Sequence, residues 1–246
     1  MNFERIPPLW LDETDSTNAE AMRLLKRSKP AEGTCIAAQF QTEGRGQRSN
    51  AWSSRPRENL LVSFILYPPL AISGAPFLLS KTAALAVRET LQHFTTEEVH
   101  IKWPNDVLIG RKKAAGILIE NQWMGSQWHA AVVGIGLNVN QTIFSVEHAT
   151  SLRASGADAL APETVLTELQ TRLSHHYHRL CKGESQAISG QYHDRLFGKE
   201  NNHSYETLEG PIEAKVLRVL DDGRIEMVTG QGNTRLYDLS ELRLIY

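Results

Sequence analysis

The sequence predicts an α/β fold: a mixed β-sheet with flanking helices, followed by a small all-β unit. Three observations carry this. Apolar runs rich in Val, Ile and Ala (LLVSFIL at 60–66, HAAVVGIGLNV at 129–139) have strand length and no helical period. Residues 76–95 show the opposite pattern, with Leu78, Leu79, Thr82, Ala83, Leu85, Ala86 and Leu91 on one helical face. After Gly198 the texture shifts to short alternating runs broken by Gly-Pro, Asp-Asp-Gly and Gly-Gln-Gly turns. The division expected is therefore 1–198 for a large unit and 199–246 for a small one.

The elements follow in order. Thr17-Asn18-Ala19-Glu20 fits a capping box with Thr17 as N-cap, and Pro30 closes the region behind the helix. Thr34–Phe40 reads as a buried strand, and Leu60–Leu66 as a second one stopped by Tyr67-Pro68-Pro69. Residues 41–59 between them hold almost nothing that builds a core. Pro76 suits the first turn of the long helix. Val99–Trp103 is a short strand whose last residue precedes a proline and is biased toward extended backbone. Gly116–Glu120 and His129–Val139 read as strands buried on both faces. Helices at 162–181 and 184–196 close the large unit.

Bulk properties exclude several function classes. The 246 residues carry a formal charge of -2, too little to draw nucleic acid or an anionic membrane. No apolar run reaches the ~18 residues of a membrane span, and MNFERIPPLW lacks a signal pattern. Cys35 and Cys181 are far apart, without metal-like spacing, which fits a reducing, cytoplasmic compartment. His175-His176-Tyr177-His178 has no HExxH pattern or cysteine partner, so it does not read as a metal site. No G-x-S-x-G elbow is present, and Cys35 inside a strand packs as a small hydrophobe.

Four stretches carry chemistry. Asp15-Ser16-Thr17-Asn18 either caps a helix or presents hydroxyls and amides to a small polar ligand; the two readings are compatible. Gly44-Arg45-Gly46-Gln47-Arg48-Ser49 lacks the spacing of a P-loop and the third glycine of a dinucleotide fingerprint. It is an inert turn or a basic lid for an anion. Lys102-Trp103-Pro104-Asn105-Asp106 and the following Lys113-Ala114-Ala115-Gly116 either form solvated turns or send an ammonium into a cleft on the sheet. Gly134-Ile135-Gly136-Leu137-Asn138 marks bulges or the close approach of another group, and Asn138 enters a polar network or contacts a nucleotide.

Taken together, DSTN, QTEGRGQR with Trp52 beyond it, KWPNDV, KKAAGILIE and GIGLNVN resemble the biotin protein ligase family from about residue 12 to 140. The resemblance implies a catalytic domain like that of class II aminoacyl-tRNA synthetases and a small C-terminal β-barrel. It implies that biotin and ATP form biotinyl-5′-AMP and pyrophosphate, after which a lysine of biotin carboxyl carrier protein takes the biotin. Mg²⁺ would accompany ATP. By matching, Lys113 and Arg45 are the catalytic cations. Ser16, Thr17, Asn18, Gln41, Gly44, Gly46, Gln47, Arg48, Gly116, Ile117 and Leu118 join them around biotin. Arg48, Trp52, Lys102, Asn105, Asp106 and Asn138 belong to the ATP and adenylate side.

The loop departs from the pattern of many members, which have arginine where Gln47 stands and glycine where Ser49 stands. Arg48 is then the nearest second cation. The short segment before DSTN implies the form without a DNA-binding domain, hence no nucleic-acid partner and no membrane partner, with a homodimer through sheet edges left open. Metal ligands are not assigned. The competing readings are a lipoate protein ligase and a non-catalytic sensor of biotin or biotinyl-AMP.

Overall fold

The structure is a computed structural model that describes residues 3, 6–48, 50–230 and 232–245. Chain order is β1 (Leu9–Leu11), α1 (Thr17–Arg27), β2 (Cys35–Ala38), β3 (Leu60–Leu66), α2 (Phe77–Phe94), β4 (Val99–Lys102), β5 (Asp106–Ile109), β6 (Lys112–Met124) and β7 (Gln127–Leu137). Then come α3 (Pro162–Cys181), α4 (Ser185–Asp194), β8 (His203–Thr207), β9 (Gly210–Val219), β10 (Ile225–Thr229), β11 (Thr234–Tyr237) and β12 (Leu242–Leu244). The first seven strands form one sheet in the order β1-β2-β3-β7-β6-β5-β4. Only β1 and β2 are parallel, so the sheet is mixed. The last five strands form a separate antiparallel sheet, β11-β10-β9-β8-β12.

Period-two alternation divides the large sheet into two faces. Leu60, Val62, Phe64 and Leu66 of β3, with Ala131, Val133, Ile135 and Leu137 of β7, join the main core. This core includes apolar residues of α2 and α3, such as Leu79, Leu85, Leu166 and Leu173. Ile36, Ile65 and Val132 point the other way and pack under α1 against Ala21, Met22 and Leu25. Toward and past the N-terminus of α1 this second face carries Leu61 and the glycines of β6 and β7, with Asn18 of α1 over Gly134 and Trp52 over Gly136. The site lies there.

Several boundaries differ from the expectation. The N-cap of α1 is Ser16, not Thr17, with the Glu20 N–H donating to Ser16 O at 3.0 Å. Glu20 does not complete a capping box because its carboxylate accepts from Arg23 Nε at 2.8 Å. Strands β1 and β5, three and four residues long, are too short to show a period. Strand β6 runs well beyond Gly116–Glu120, since pairing with β5 and β7 extends it past its apolar segment. Cys35 is buried, and burial pushes its thiol far above the usual range. No helix among the described residues is long and apolar enough to cross a membrane.

Candidate active site

A cavity of about 270 Å³ opens on the second face of the large sheet. Its floor is set by strand register. Leu61, Gly136 and Gly116 form one row across β3, β7 and β6; Ser63, Gly134 and Leu118 form the next. Two glycines here are occupied spaces. A Cβ on Gly136 would meet the Trp52 ring at 2.4 Å, and one on Gly134 would meet Asn18 Oδ1 at 2.1 Å. The GIG segment therefore lets an indole and an amide lie directly on the backbone.

The polar end is a network at the N-terminus of α1. Gln41 Oε1 accepts from Thr17 N at 2.8 Å and from Thr17 Oγ1 at 3.0 Å. The Ser63 hydroxyl lies 2.6 Å from Asn18 Oδ1 and 2.7 Å from Thr17 Oγ1. Asn18 Nδ2 donates to Glu120 Oε2 at 2.7 Å, and Glu120 Oε1 faces Arg45 Nη1 at 3.4 Å. Asp15 stands outside the network as its brace. It accepts from Ser16 N at 2.7 Å and binds Arg23 in a fork at 2.8 and 2.9 Å. That guanidinium, with hydrogen bonds from Ser16 and Thr14, holds the Asp15 carboxyl well below the usual carboxylate range. Capping and presentation of polar groups are one arrangement.

The charged end depends on a bulge. Asp106 pairs with Gly116 and Val107 with Ala115, but Leu108 pairs with Lys113, leaving Ala114 as the extra residue. In a regular strand, residues 113 and 116 would face opposite sides; the inserted residue puts them on the same side. Lys113 Nζ accordingly lies 3.4 Å from the position of a Cβ on Gly116. It pairs with Asp106 Oδ1 at 2.6 Å and sits 5.5 Å from the centroid of the Trp52 ring. Lys113 N donates to His148 O at 2.7 Å, and its O accepts from Thr150 N at 2.8 Å, so the strand is pinned at this residue.

The loop at 44–52 is a narrow hairpin, closed by Gly46 N to Asn50 O at 2.7 Å and Trp52 N to Gly44 O at 2.9 Å. Ser49 lies outside the described residues. Arg45, Gly46, Gln47 and Arg48 all line the cavity. Arg48 has φ 56, the left-handed region that costs an L-residue roughly 1–2 kcal/mol. It makes no ion pair among the described residues, whereas Arg45 faces Glu120.

Most of the expected residues converge on this cavity: Ser16, Thr17, Asn18, Gln41, Arg45, Gly46, Gln47, Arg48, Trp52, Asn105, Asp106, Lys113, Gly116, Ile117 and Leu118. Three do not line it. Gly44 abuts Trp52 O, 2.3 Å from where its Cβ would be, and serves the hairpin. Lys102 lies behind Asp106, its Nζ 3.4 Å from Oδ2. Asn138 is buried and donates to Thr150 O at 2.9 Å, which braces the segment that pins Lys113. Of the two readings of Asn138, the internal bond to Thr150 O is the one these contacts display.

Sequence reasoning assigned no role to Ser63, a single polar letter inside an apolar strand, or to Glu120, the last residue of the KKAAGILIE motif. It also missed Leu239, Leu242 and Arg243, which reach the cavity from the second sheet. Four cations and one carboxylate line the cavity among the described residues: Arg45, Arg48, Lys113 and Arg243 against Asp106. Such a surplus favours a ligand with several negative charges.

Residues 10–138 match the biotin/lipoate A/B protein ligase family. The bifunctional ligase/repressor BirA of Bacillus subtilis is 30% identical over 234 residues, covering 93% of this chain and 71% of that protein. The biotin–[acetyl-CoA-carboxylase] ligase of Paracoccus denitrificans is 39% identical over 131 residues, 52% of this chain and 53% of that one. Among solved structures, the biotin protein ligase of Aquifex aeolicus in complex with biotin and ATP superposes with a TM-score of 0.79 at 28% identity. That match covers 97% of this chain and 98% of the other.

Proposed function

The chain belongs to the biotin/lipoate A/B protein ligase family, and from that premise we propose that it activates biotin with ATP and transfers it to a lysine of biotin carboxyl carrier protein. The observation that supports this best is one cavity with two unlike ends. A donor-and-acceptor network around Thr17, Asn18, Gln41 and Ser63 suits a ureido head, and the cations around Lys113 suit a carboxylate meeting a polyphosphate.

In the first step the biotin carboxylate oxygen attacks the α-phosphorus and pyrophosphate leaves. Two anions approach, and negative charge gathers on the phosphoryl oxygens. Fixed cations oppose that repulsion and hold the reactants in line. Lys113, at the charged end, bridges carboxylate and α-phosphate. Arg45 closes from the hairpin, and Trp52 walls the apolar middle with Leu118. In the second step the carrier's lysine amine attacks the mixed anhydride and AMP leaves. Mg²⁺ would accompany ATP: no group of three His, Cys, Asp or Glu side chains comes together among the described residues, and Asp106 is paired with Lys113. The ion would enter on the phosphates of ATP.

A transfer assay with purified carrier domain, biotin, ATP and Mg²⁺ tests the reading, with the mass gain of the carrier as readout. Exchange of ATP and pyrophosphate driven by lipoate but not biotin would turn the assignment to lipoate. Tight biotin binding with no carrier modification would make the protein a sensor.

The hairpin offers a separate prediction. Arg48→Gly keeps a backbone that glycine adopts freely but removes the cation. The KM for ATP should rise about tenfold, the loss of roughly one charge-assisted hydrogen bond, with the thermal midpoint nearly unchanged. A larger rise in Gln47→Ala than in Arg48→Gly would move the phosphate contact to residue 47.

A further inference from the structure

Lys81 is fully buried on α2, and the chemistry above does not use it. A buried ammonium is tolerated only when its donors are satisfied. Here Nζ donates to Val219 O at 2.9 Å, Ser189 Oγ at 3.1 Å and Asp221 Oδ1 at 2.6 Å. The three partners come from the end of β9, from α4 and from the turn at 220–224 that joins β9 to β10. The lysine thus ties the second sheet to the helices of the first.

The same turn makes further contacts with the large unit. Asp221 O accepts from Phe77 N at 3.3 Å. Gly223 lies so close to the Phe77 ring that a Cβ there would meet it at 2.9 Å. Gly223 O accepts from Trp103 Nε1 at 2.9 Å. On α4, His193 Nε2 lies 3.0 Å from both the N and the O of Val219, and burial lowers the pKa of that imidazole.

Trp103 directly precedes Pro104, Asn105 and Asp106, which form one part of the site's wall, while Arg243 of the second sheet forms another part. A smaller cavity of about 120 Å³ lies between Trp103, Pro104, Leu242 and Arg243. The two parts are not packed solidly against each other there. Their separation is fixed where the turn is bolted down.

We propose that Lys81 is a positioning residue for the nucleotide side of the site. By fixing the 220–224 turn it sets Trp103, hence Asn105 and Asp106, at a defined distance from Arg243. The inference rests on the ligase reading. The polar network of the biotin side comes from Thr17 and Asn18 of α1, Gln41, Ser63 of β3 and Glu120 of β6, and none of its hydrogen bonds among the described residues involves this turn, so the two substrates report separately.

The test compares wild type, Lys81→Met, Trp103→Phe and the double variant in biotin-dependent ATP–pyrophosphate exchange, with biotin affinity measured by calorimetry. Lys81→Met should raise the KM for ATP about tenfold while the Kd for biotin stays within about twofold. Trp103→Phe, which removes the indole N–H from the linkage and also shrinks a buried ring, should raise the same KM. The double variant should be no worse than Lys81→Met, because both act through one turn. Parallel losses for biotin and ATP that track the unfolded fraction would make Lys81 merely structural and overturn the proposal. If Lys81→Met does not fold, a wild-type ATP KM in Trp103→Phe overturns it equally. Wild type that neither binds biotin nor exchanges pyrophosphate would instead overturn the ligase reading itself.

Discussion

Lys113→Ala is expected to lower kcat for biotin-dependent ATP–pyrophosphate exchange by about 10²–10³ without unfolding the protein. The magnitude is that of removing one preorganised group aimed at developing charge. Lys113 is partly exposed within the cavity and its strand is pinned through backbone bonds to the 148–150 segment, so the fold does not depend on its side chain. Loss of the ammonium also leaves Asp106 facing Lys102 alone, 3.4 Å away. That carboxylate would then repel the incoming phosphates and add to the defect. Circular dichroism and thermal scans check the fold, and exchange kinetics check the chemistry. Wild-type kcat in this variant would remove Lys113 from the mechanism.

Gly134→Ala is the second large effect expected, and it acts on stability as well as binding. The new methyl group would lie 2.1 Å from Asn18 Oδ1 and 2.8 Å from Asn18 Cγ. Asn18 cannot yield alone, because its amide is held by Ser63, Glu120 and the Leu118 carbonyl. Overpacking and the loss of buried hydrogen bonds together cost about 2–4 kcal/mol, which lowers the thermal midpoint by roughly 10 °C in a chain of this size. Biotin affinity should fall with it, since Thr17 and Gln41 belong to the same network. Gly190→Ala on α4 is the control. Apart from its chain neighbours and the backbone of its own helix, nothing lies within 4 Å of the new methyl, and alanine favours a helix. Equal midpoints for the two variants would show that the Gly134–Asn18 contact yields freely.

The strands that build the core were legible because β3 and β7 are long and almost wholly apolar, and α2 because its period is helical. The site was legible as motifs but not as geometry. Spacing alone places Lys113 and Gly116 on opposite faces of a strand; the bulge that brings them together is a property of pairing with β5, which Pro104 and Asn105 disguise as a turn. Asn138 shows the converse. Its apolar neighbours marked it as an amide needing a partner, yet only the fold reveals that the partner is Thr150 O. Leu239, Leu242 and Arg243 were invisible for a simpler reason. Their role depends on how one sheet docks against another, through Lys81 and Trp103, and no local pattern encodes that contact.

The indole lying on Gly136 gives the site its own optical gauge. The chain has five tryptophans, and Trp52 is the one that lines the main cavity. Its Nε1 is buried with no hydrogen-bond partner among the described residues, and the Lys113 ammonium stands over the ring. Indole emission responds both to a nearby charge and to what its N–H bonds. A carboxylate arriving at Lys113 would shift the spectrum, and departure of pyrophosphate would shift it again. Stopped-flow fluorescence of the unlabelled protein, with Trp52→Phe as the blank, would then time each chemical event from inside the cavity.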